Sequence, residues 1–247
     1  MGKAPPKRMR ADQLLVTRGL SESRARAQAS IAAGLVIADG AKVMKPSQAI
    51  ACDARLEAAP EHPWVSRGGV KLAQALDRFG FDPKGKTCLD VGASAGGFTE
   101  VLLSRGARRV YAVDVGHGQL HLSLAKRPEV FSLERTDARR LDRARVPDPI
   151  DLVVADVSFI SLKQMLPAAL ALAAPKAALI ALIKPQFEAG RARGKKGIVR
   201  EAAVHREVCA DLLAFVAGLG WEEIGLMESP IRGGDGNTEF LMGARRG

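Results

Sequence analysis

The spacing of apolar residues differs between the first part of the chain and the part that follows Arg67. From Arg67 onward, short apolar strings alternate with helical stretches, and the strings are TCLDV, RVYAVDV, DLVVADV and ALIALIK. Leu72, Leu76 and Phe79 recur at helical spacing before the first string, and an amphipathic helix is predicted at about 200–219. This alternation predicts an α/β fold, a parallel sheet with helices on both faces. Ligands of such sheets bind beyond the carboxyl ends of the strands.

The first part of the chain has shorter elements. The string ADQLLVTRG predicts a helix that ends at Gly19, and Ser21 is the candidate N-cap of a second helix that Gly34 ends. The string LVIADG predicts a strand entering a turn at Asp39-Gly40. The predicted organisation is a frayed tail at 1–8, a small α+β domain at 9–58, a proline-containing linker at 59–66 and a large domain at 67–247.

Composition narrows the class of protein. The 247 residues are 47% hydrophobic and 26% charged, which is typical of a globular chain and excludes a wholly disordered or collagen-like one. The net charge is +10, half of it within residues 1–67, and this sign favours a polyanionic partner. The three cysteines are scattered along the chain, which predicts neither a disulfide framework nor a structural metal site. The N-terminus lacks a signal-peptide pattern, which predicts a cytoplasmic protein. Prolines and lysines interrupt or bound the apolar run at 166–183, so no membrane span is predicted there.

The segment LDVGASAGGF follows the first strand and precedes a helix. It lacks the dinucleotide fingerprint because Ser94 takes the middle glycine position, and no Lys-Ser/Thr follows the glycines as in a Walker motif. Glycines let a backbone approach a ligand closely, and this DxGxxxGGF turn resembles the S-adenosylmethionine turn of Rossmann-like methyltransferases. The alternative is a tight structural turn. The candidate cofactor residues of this segment are Asp90, Gly92, Ser94, Gly96, Gly97 and Phe98.

Acidic residues follow the next strands. Asp114 ends RVYAVDV, where a carboxylate can accept both hydroxyls of a ribose. Asp137 follows the third strand and could accept the amino group of an adenine. For each of them, the alternative is a helix N-cap or a surface acid.

Two lysines and two carboxylates form a second constellation: Asp156 closes DLVVAD, Lys184 closes ALIALIK, Glu239 opens the last strand and Lys71 lies in the first large-domain helix. Charges beside apolar strands are costly unless they are paired or used in chemistry. Methyl transfer to a ribose hydroxyl needs a base, and a lysine can serve where desolvation or a second cation lowers its pKa. We assign the base to Lys184, steered by Asp156, which is also a candidate cofactor residue. Lys71 and Glu239 would orient the hydroxyl and tune Lys184; the alternative is a surface ion-pair cluster.

The order Lys, Asp, Lys, Glu resembles the FtsJ-type ribose 2′-O-methyltransferases. The strings SRGGVKL, LDVGASAGGFTEVLL, VDVGHGQL, ADVSFISL, IKPQFE and GNTEF are similar to the TlyA family, often labelled hemolysin A, and Arg10–Ala58 resembles the alpha-L (S-four) RNA-binding motif. The resemblance implies a class I methyltransferase domain whose mostly parallel seven-stranded sheet has an antiparallel last strand. It also implies S-adenosylmethionine as cofactor and 2′-O-methylation of a cytidine in ribosomal RNA. The chain end resembles the shorter family type, which implies large-subunit RNA.

Basic residues are the candidates for contact with ribosomal RNA or a ribosomal subunit. Arginine forks suit phosphates, and the scarcity of aromatics in the small domain predicts recognition by shape and phosphate. An ordinary solvated surface is the alternative. The candidates are Arg10, Arg18, Arg24, Arg26, Lys42, Lys45, Arg191, Arg193, Lys195 and Lys196.

Other functions are weaker fits. A membrane-active, hemolysin-like protein would need a span or a broad amphipathic helix, and neither pattern occurs. A non-catalytic ribosome assembly factor would not need the Lys-Asp-Lys-Glu set. A base methyltransferase more usually carries an Asn/Asp-Pro-Pro-Tyr/Phe string where this chain has DVSF.

Overall fold

A computed structural model of the chain describes residues 6–190 and 198–247. The chain forms two compact units, Met1–Pro63 and Trp64–Gly247, and the division between them falls inside the segment predicted as a linker. Four of the candidate RNA-binding residues, Arg191, Arg193, Lys195 and Lys196, lie outside the described residues.

The small unit packs two helices against short strands. Its core joins apolar residues of both helices, among them Leu14, Leu15 and Ile31, to Val36 and Ile50 of the strands. Strand β2 pairs antiparallel with β3 and with β5, and β1 pairs with β4. The elements are β1 (Arg8–Arg10), α1 (Ala11–Thr17), α2 (Arg24–Ala32), β2 (Val36–Ala38), β3 (Ala41–Lys42), β4 (Ala49–Ala51) and β5 (Leu56–Ala58).

Local backbone geometry decides the ends of these elements. Asp39 (φ 49°) and Gly40 (φ 80°) form the turn between β2 and β3, as predicted. The predicted N-cap at Ser21 is wrong. Ser23 caps α2, since it has extended backbone and its side chain accepts a hydrogen bond from the Arg26 amide, whereas the Ser21 hydroxyl donates to the carbonyl of Ser23.

The large unit is a seven-stranded sheet in the order β11-β12-β10-β9-β6-β7-β8. The five strands from β10 to β8 run parallel, and β12 is antiparallel to both of its neighbours, β10 and β11. This confirms the predicted α/β fold. The strands are β6 (Thr87–Val91), β7 (Arg109–Val113), β8 (Val130–Leu133), β9 (Ile150–Ala155), β10 (Ala173–Ile183), β11 (Glu222–Glu228) and β12 (Phe240–Arg245).

Helices cover the two faces of this sheet. One core contains residues of α3 and α4, and the other contains residues of α6 and α8. Leu72, Leu76 and Phe79 are buried on α3, as their spacing predicted. Leu219 was expected on the buried face of α8 but is 38% exposed, because that helix ends at Gly218. The helices are α3 (Gly68–Phe79), α4 (Gly97–Ser104), α5 (Leu122–Ala125), α6 (Leu162–Ala171), α7 (Pro185–Glu188) and α8 (Ala202–Gly218), with a short 3₁₀ helix at Ala138–Arg140.

Nothing in the described ranges has the length and apolar character of a membrane-spanning helix. The apolar run at 166–183 is divided between the second half of α6 and strand β10, which is paired on both sides.

Candidate active site

A cavity of about 430 Å³ opens at the carboxyl edge of the parallel strands. Its wall joins the turn after β6, the acidic ends of β7 and β9, and the segment that leads into α6. The polar lining includes Ser94, Asp114, Asp137, Asp156 and Ser158, and the apolar lining includes Val115, Phe159, Ile160 and Met165. This is the position that the strand pattern predicted for a ligand.

The turn after β6 brings the chain close to itself. Gly92 and Gly96 have φ of 83° and 95°, in the left-handed region that favours glycine. A Cβ at Gly92 would overlap the carbonyl oxygen of Asp156, and one at Gly96 would overlap the side chain of Leu124. The sequence pattern suggested that these glycines allow approach by a ligand; in the structure, the close neighbours are atoms of the chain.

Asp114 connects this turn to the end of β7. Its carboxylate accepts hydrogen bonds from the amides of Ser94 (2.8 Å) and Gly116 (2.7 Å). The carboxylate also lines the cavity, so it is both a support of the turn and an acceptor available to a ligand.

The carboxylate of Asp137 has stronger partners within the chain than that of Asp114. It caps the 3₁₀ helix through the Arg139 amide (3.0 Å) and forms an ion pair with the Arg139 guanidinium (2.7 Å). This guanidinium, helped by the amide, lowers the pKa of Asp137 to about 2. The N-cap alternative is therefore realised, although Asp137 still lines the cavity.

Asp90 and its neighbours lie beneath the turn. Asp90 is fully buried and accepts a hydrogen bond from the Thr99 hydroxyl (2.7 Å). Burial, reinforced by the charges of Asp156 and Asp114, raises the pKa of Asp90 to about 7. Gly96, Gly97 and Phe98 are likewise buried, and none of these four residues lines the cavity.

The four residues of the Lys-Asp-Lys-Glu set form two ion pairs. Lys184 Nζ lies 2.5 Å from Asp156 Oδ1 and donates to the Ser158 hydroxyl at 2.8 Å. Lys71 Nζ donates to Glu239 Oε2 at 2.6 Å in buried surroundings.

Sheet register brings the two pairs to one edge. Ile183 on β10 is paired with Phe240 on β12, so Lys184 and Glu239 are the next positions on two neighbouring strands at the same end of the sheet. Asp156 and Ser158 belong to the cavity wall, whereas Lys184, Lys71 and Glu239 do not line it. Lys184 reaches the wall through its contacts with Asp156 and Ser158.

An aromatic residue that the sequence analysis did not single out stands at the cavity. Phe159 is 91% exposed, has φ of 65°, and its ring centroid lies 5.0 Å from that of Phe187. A large exposed ring held in a left-handed backbone conformation is a costly arrangement that points to function. The signal was present in the string DVSFISL, where an aromatic follows Asp156 by three positions.

The small unit fixes several of its candidate RNA-binding residues. Asp12 is fully buried, and its carboxylate accepts hydrogen bonds from Arg10 and Arg24 (3.0 Å each) and from Gln28 (2.8 Å). The Arg10 side chain, with those of Gln28 and Arg24, holds the pKa of Asp12 well below its usual range.

The remaining candidates of this unit have different surroundings. Arg18 donates to the carbonyl of Ala54, and Arg26 pairs with Glu22. Lys42 and Lys45 are exposed. No group of three His, Cys, Asp or Glu that could hold a metal ion occurs within residues 6–190 and 198–247.

Sheet order, glycine turn and acidic strand ends together define a Rossmann-like methyltransferase fold. A Listeria monocytogenes structure that carries a provisional S-adenosylmethionine-dependent methyltransferase name covers 74% of this chain and all of its own, with a TM-score of 0.55 at 16% identity, which supports the fold alone. Residues 64–246 match the FtsJ-like methyltransferase family, and the chain belongs to that family.

Two further proteins are similar to nearly the whole chain, the small unit included. The Mycobacterium tuberculosis protein named 16S/23S rRNA (cytidine-2′-O)-methyltransferase TlyA is 44% identical over 97% of this chain and 90% of its own length. A Streptococcus thermophilus structure that carries a provisional hemolysin name covers 98% of this chain and 90% of its own, with a TM-score of 0.77 and 39% identity.

Proposed function

We propose that this protein transfers a methyl group from S-adenosylmethionine to the ribose 2′-hydroxyl of a cytidine in ribosomal RNA. The observation that carries the proposal is the ion pair between Lys184 and Asp156, a residue of the cavity wall. Membership of the FtsJ-like family and the similarity to a protein named as a cytidine-2′-O-methyltransferase support it.

The cavity suits this cofactor. Its volume of about 430 Å³ lies in the range of small-molecule sites, which is roughly 300–1,000 Å³. Asp114 would accept the ribose hydroxyls, Asp137 would face the adenine, and Val115, Ile160 and Met165 offer apolar surface to the ring. When bound, the cofactor supplies a methyl group activated by a positively charged sulfur.

Lys184 would act as the base. In its neutral form, Nζ takes the proton of the attacking hydroxyl and becomes an ammonium ion, which the carboxylate of Asp156 stabilises. The Ser158 hydroxyl fixes the direction of the lysine side chain from the cavity wall. A positioned base of this kind accelerates a reaction by roughly 10²–10⁴-fold.

Lys71 and Glu239 would act by positioning. Their buried ion pair links α3 to the residue preceding β12, next to the strand that carries Lys184. Lys184 contacts Asp156 and Ser158 of the cavity wall, whereas the ion pair of Lys71 and Glu239 joins these two residues only to each other. We therefore assign Lys71 and Glu239 the orientation of the sheet edge rather than contact with the cofactor.

RNA would be held mainly through phosphates. The arginines of the small unit present forks suited to phosphate oxygens, and residues 1–67 carry half of the net charge of +10. The exposed Phe159 ring at the cavity offers a surface on which the target base would stack.

The test is incubation of ribosomal RNA, free and within each ribosomal subunit, with the protein and isotopically labelled cofactor. We expect the label in a 2′-O-methylcytidine that blocks alkaline cleavage of its 3′ phosphodiester bond, identified by mass spectrometry. The Lys184→Ala variant is the matched control and should leave the RNA unlabelled. Label on a base, or no label in any of these RNAs, would overturn the proposal, and a liposome-leakage assay with the same protein would then test membrane activity.

A further inference from the structure

A second cavity lies on the β11–β12 side of the large unit. It measures about 520 Å³ and is bounded by the start of α8, by β11 and by the residues leading into β12. Three arginines, Arg200, Arg206 and Arg232, stand around it, and we call it the arginine groove.

The guanidinium groups of the three arginines form no ion pair with a carboxylate among the residues that the structure describes, and Arg200 contacts Glu201 through its backbone amide only. Arg232 donates to the Thr238 hydroxyl at 2.7 Å. Other arginines of the unit are neutralised locally, for example Arg105 by Asp77 at 2.8 Å. Glu228 also lines the groove, which leaves an excess of positive charge. Uncompensated guanidinium groups around a concave surface favour an anionic ligand such as a phosphate.

The floor of the groove is apolar. Cys209, Leu213, Leu226 and Phe240 form it, and the imidazole of His205 lies edge-on to the Phe240 ring with centroids 5.4 Å apart. Buried and half-buried apolar side chains beneath exposed arginines match a nucleotide, since a base has apolar faces and its phosphate is anionic. Inorganic phosphate alone would leave this floor unused.

Its position connects the groove to the Lys-Asp-Lys-Glu set. Thr238 and Phe240 line the groove on either side of Glu239, which pairs with Lys71. Phe240 is also the register partner of Ile183, the residue before Lys184. Asn237 accepts a hydrogen bond from the Val199 amide at 3.0 Å and so ties the groove's loop to the segment before α8.

We infer that the arginine groove binds a nucleotide of the substrate RNA that flanks the methylated one, its phosphate on the arginines and its base on the apolar floor. The inference rests on the proposed function for the identity of the RNA. It assigns a second RNA-binding point on the large unit, separate from the cofactor cavity. It predicts that RNA affinity and methyl-acceptor geometry depend on side chains that touch neither cofactor nor target ribose.

The first test measures RNA binding by the full chain carrying Arg206→Ala and Arg232→Ala together. We expect at least tenfold weaker binding to ribosomal RNA, and a salt dependence of affinity that is flatter by about 0.7–0.9 for each phosphate that the variant no longer neutralises. Cofactor affinity and melting temperature should be unchanged. The matched control is Arg105→Ala, which removes one exposed arginine at the C-terminal end of α4 and should leave RNA affinity as in the unsubstituted protein.

The second test is local and independent of methyl transfer. We would titrate the Lys184→Ala protein with single-stranded hexacytidylate and follow the imidazole resonances of His205 by NMR, assigned with a His205→Gln variant. We expect these resonances to shift, and the shift to disappear when Arg206→Ala and Arg232→Ala are added.

The outcomes separate the two proposals. Silent His205 resonances together with unaltered RNA affinity of the double variant would overturn the groove, even if ribosomal RNA is methylated. A groove-dependent shift without methylation of any ribosomal RNA would support the groove and overturn only the proposed function.

Discussion

The two lysine–carboxylate pairs at the sheet edge are chemically alike and differ in their surroundings. The side chains of Lys71 and Glu239 are 9% and 3% exposed, and neither lines the cavity. Those of Lys184 and Asp156 are 11% and 20% exposed; Asp156 forms part of the cavity wall, and Lys184 is joined to that wall through Asp156 and Ser158. A buried ion pair holds its two elements in a fixed geometry, and removing one partner destabilises the fold because the other charge stays buried and unpaired. A pair at a cavity can exchange a proton with a bound molecule.

Because of this difference, we expect replacement of the two lysines to have different effects. Lys184 should matter for the rate of reaction and little for folding, and Lys71 should matter for folding first. The same contrast extends to the acids: Asp114 faces the cavity and Asp90 lies beneath it.

Replacing Lys184 should give the largest effect. We expect Lys184→Ala to lower single-turnover methyl transfer at least a hundredfold, because a positioned base contributes roughly 10²–10⁴-fold. Lys184→Arg should fail as well, since a guanidinium does not give up its proton at usable pH. Cofactor affinity, measured by calorimetry, should stay within a few-fold. Near-normal turnover of Lys184→Arg would remove Lys184 from the base role.

Replacing Lys71 should mainly lower stability. Lys71→Met leaves the Glu239 carboxylate buried without its cation, a change that costs about 3–5 kcal/mol of unfolding free energy. Combining it with Glu239→Gln removes the uncompensated charge and should recover part of that stability, as measured by urea unfolding. If Lys71→Met and Lys184→Ala destabilise the protein equally, the contrast between the two pairs fails.

Asp90 should make stability depend on pH. Its pKa in the folded protein, about 7, is above the usual carboxyl value of 3.8, so the folded state holds this proton more tightly than the unfolded state. Its contribution is therefore complete below the ordinary carboxyl pKa and is lost as pH rises through 7. As pH rises from 5 to 8, we expect the ionisation of this group to lower the free energy of unfolding by on the order of 2 kcal/mol.

Asp90→Asn should remove that part of the pH dependence in unfolding measurements. Asp77→Asn, at an exposed acid paired with Arg105, is the matched control and should follow the unsubstituted protein. Parallel stability curves for all three proteins would contradict the raised pKa of Asp90.

Asp114 should produce the smallest of these effects. Asp114→Ala removes an acceptor facing the cavity, and we expect at least tenfold weaker cofactor binding by calorimetry, about 1.4 kcal/mol. Asp137→Ala should cost less, because Asp137 is already occupied by Arg139. Equal losses for the two variants would indicate that the commitment of Asp137 to Arg139 does not limit its use by a ligand.

The sequence predicted the parts of the site that follow directly from strand ends. Asp114, Asp156 and Lys184 each come directly after an apolar strand, and a parallel sheet places such residues at one edge. Pattern alone did not show how deep each residue lies. Asp90 and Phe98 are in the same motif as Gly92 and Ser94, yet Gly92 and Ser94 line the cavity and Asp90 and Phe98 do not.

Features that depend on distant segments were missed for a physical reason. The arginine groove joins residues near 200, 226 and 240, and no local periodicity connects them. Ser21 and Ser23 both match an N-cap by residue type, and the direction of their hydrogen bonds decides between them. Phe159 has an unusual backbone conformation that its residue type does not announce.

Asp12 settles the conformation of two arginines before any ligand arrives. A free arginine side chain has about 2 kcal/mol of rotamer entropy, which binding to an anion would ordinarily reduce. Arg10 and Arg24 lose much of this freedom when the small unit folds, because the buried carboxylate already holds both guanidinium groups. These guanidinium groups are therefore already ordered when an anion binds to them. The loss of side-chain entropy occurs when the small unit folds, whereas in a flexible basic tail it would occur on binding.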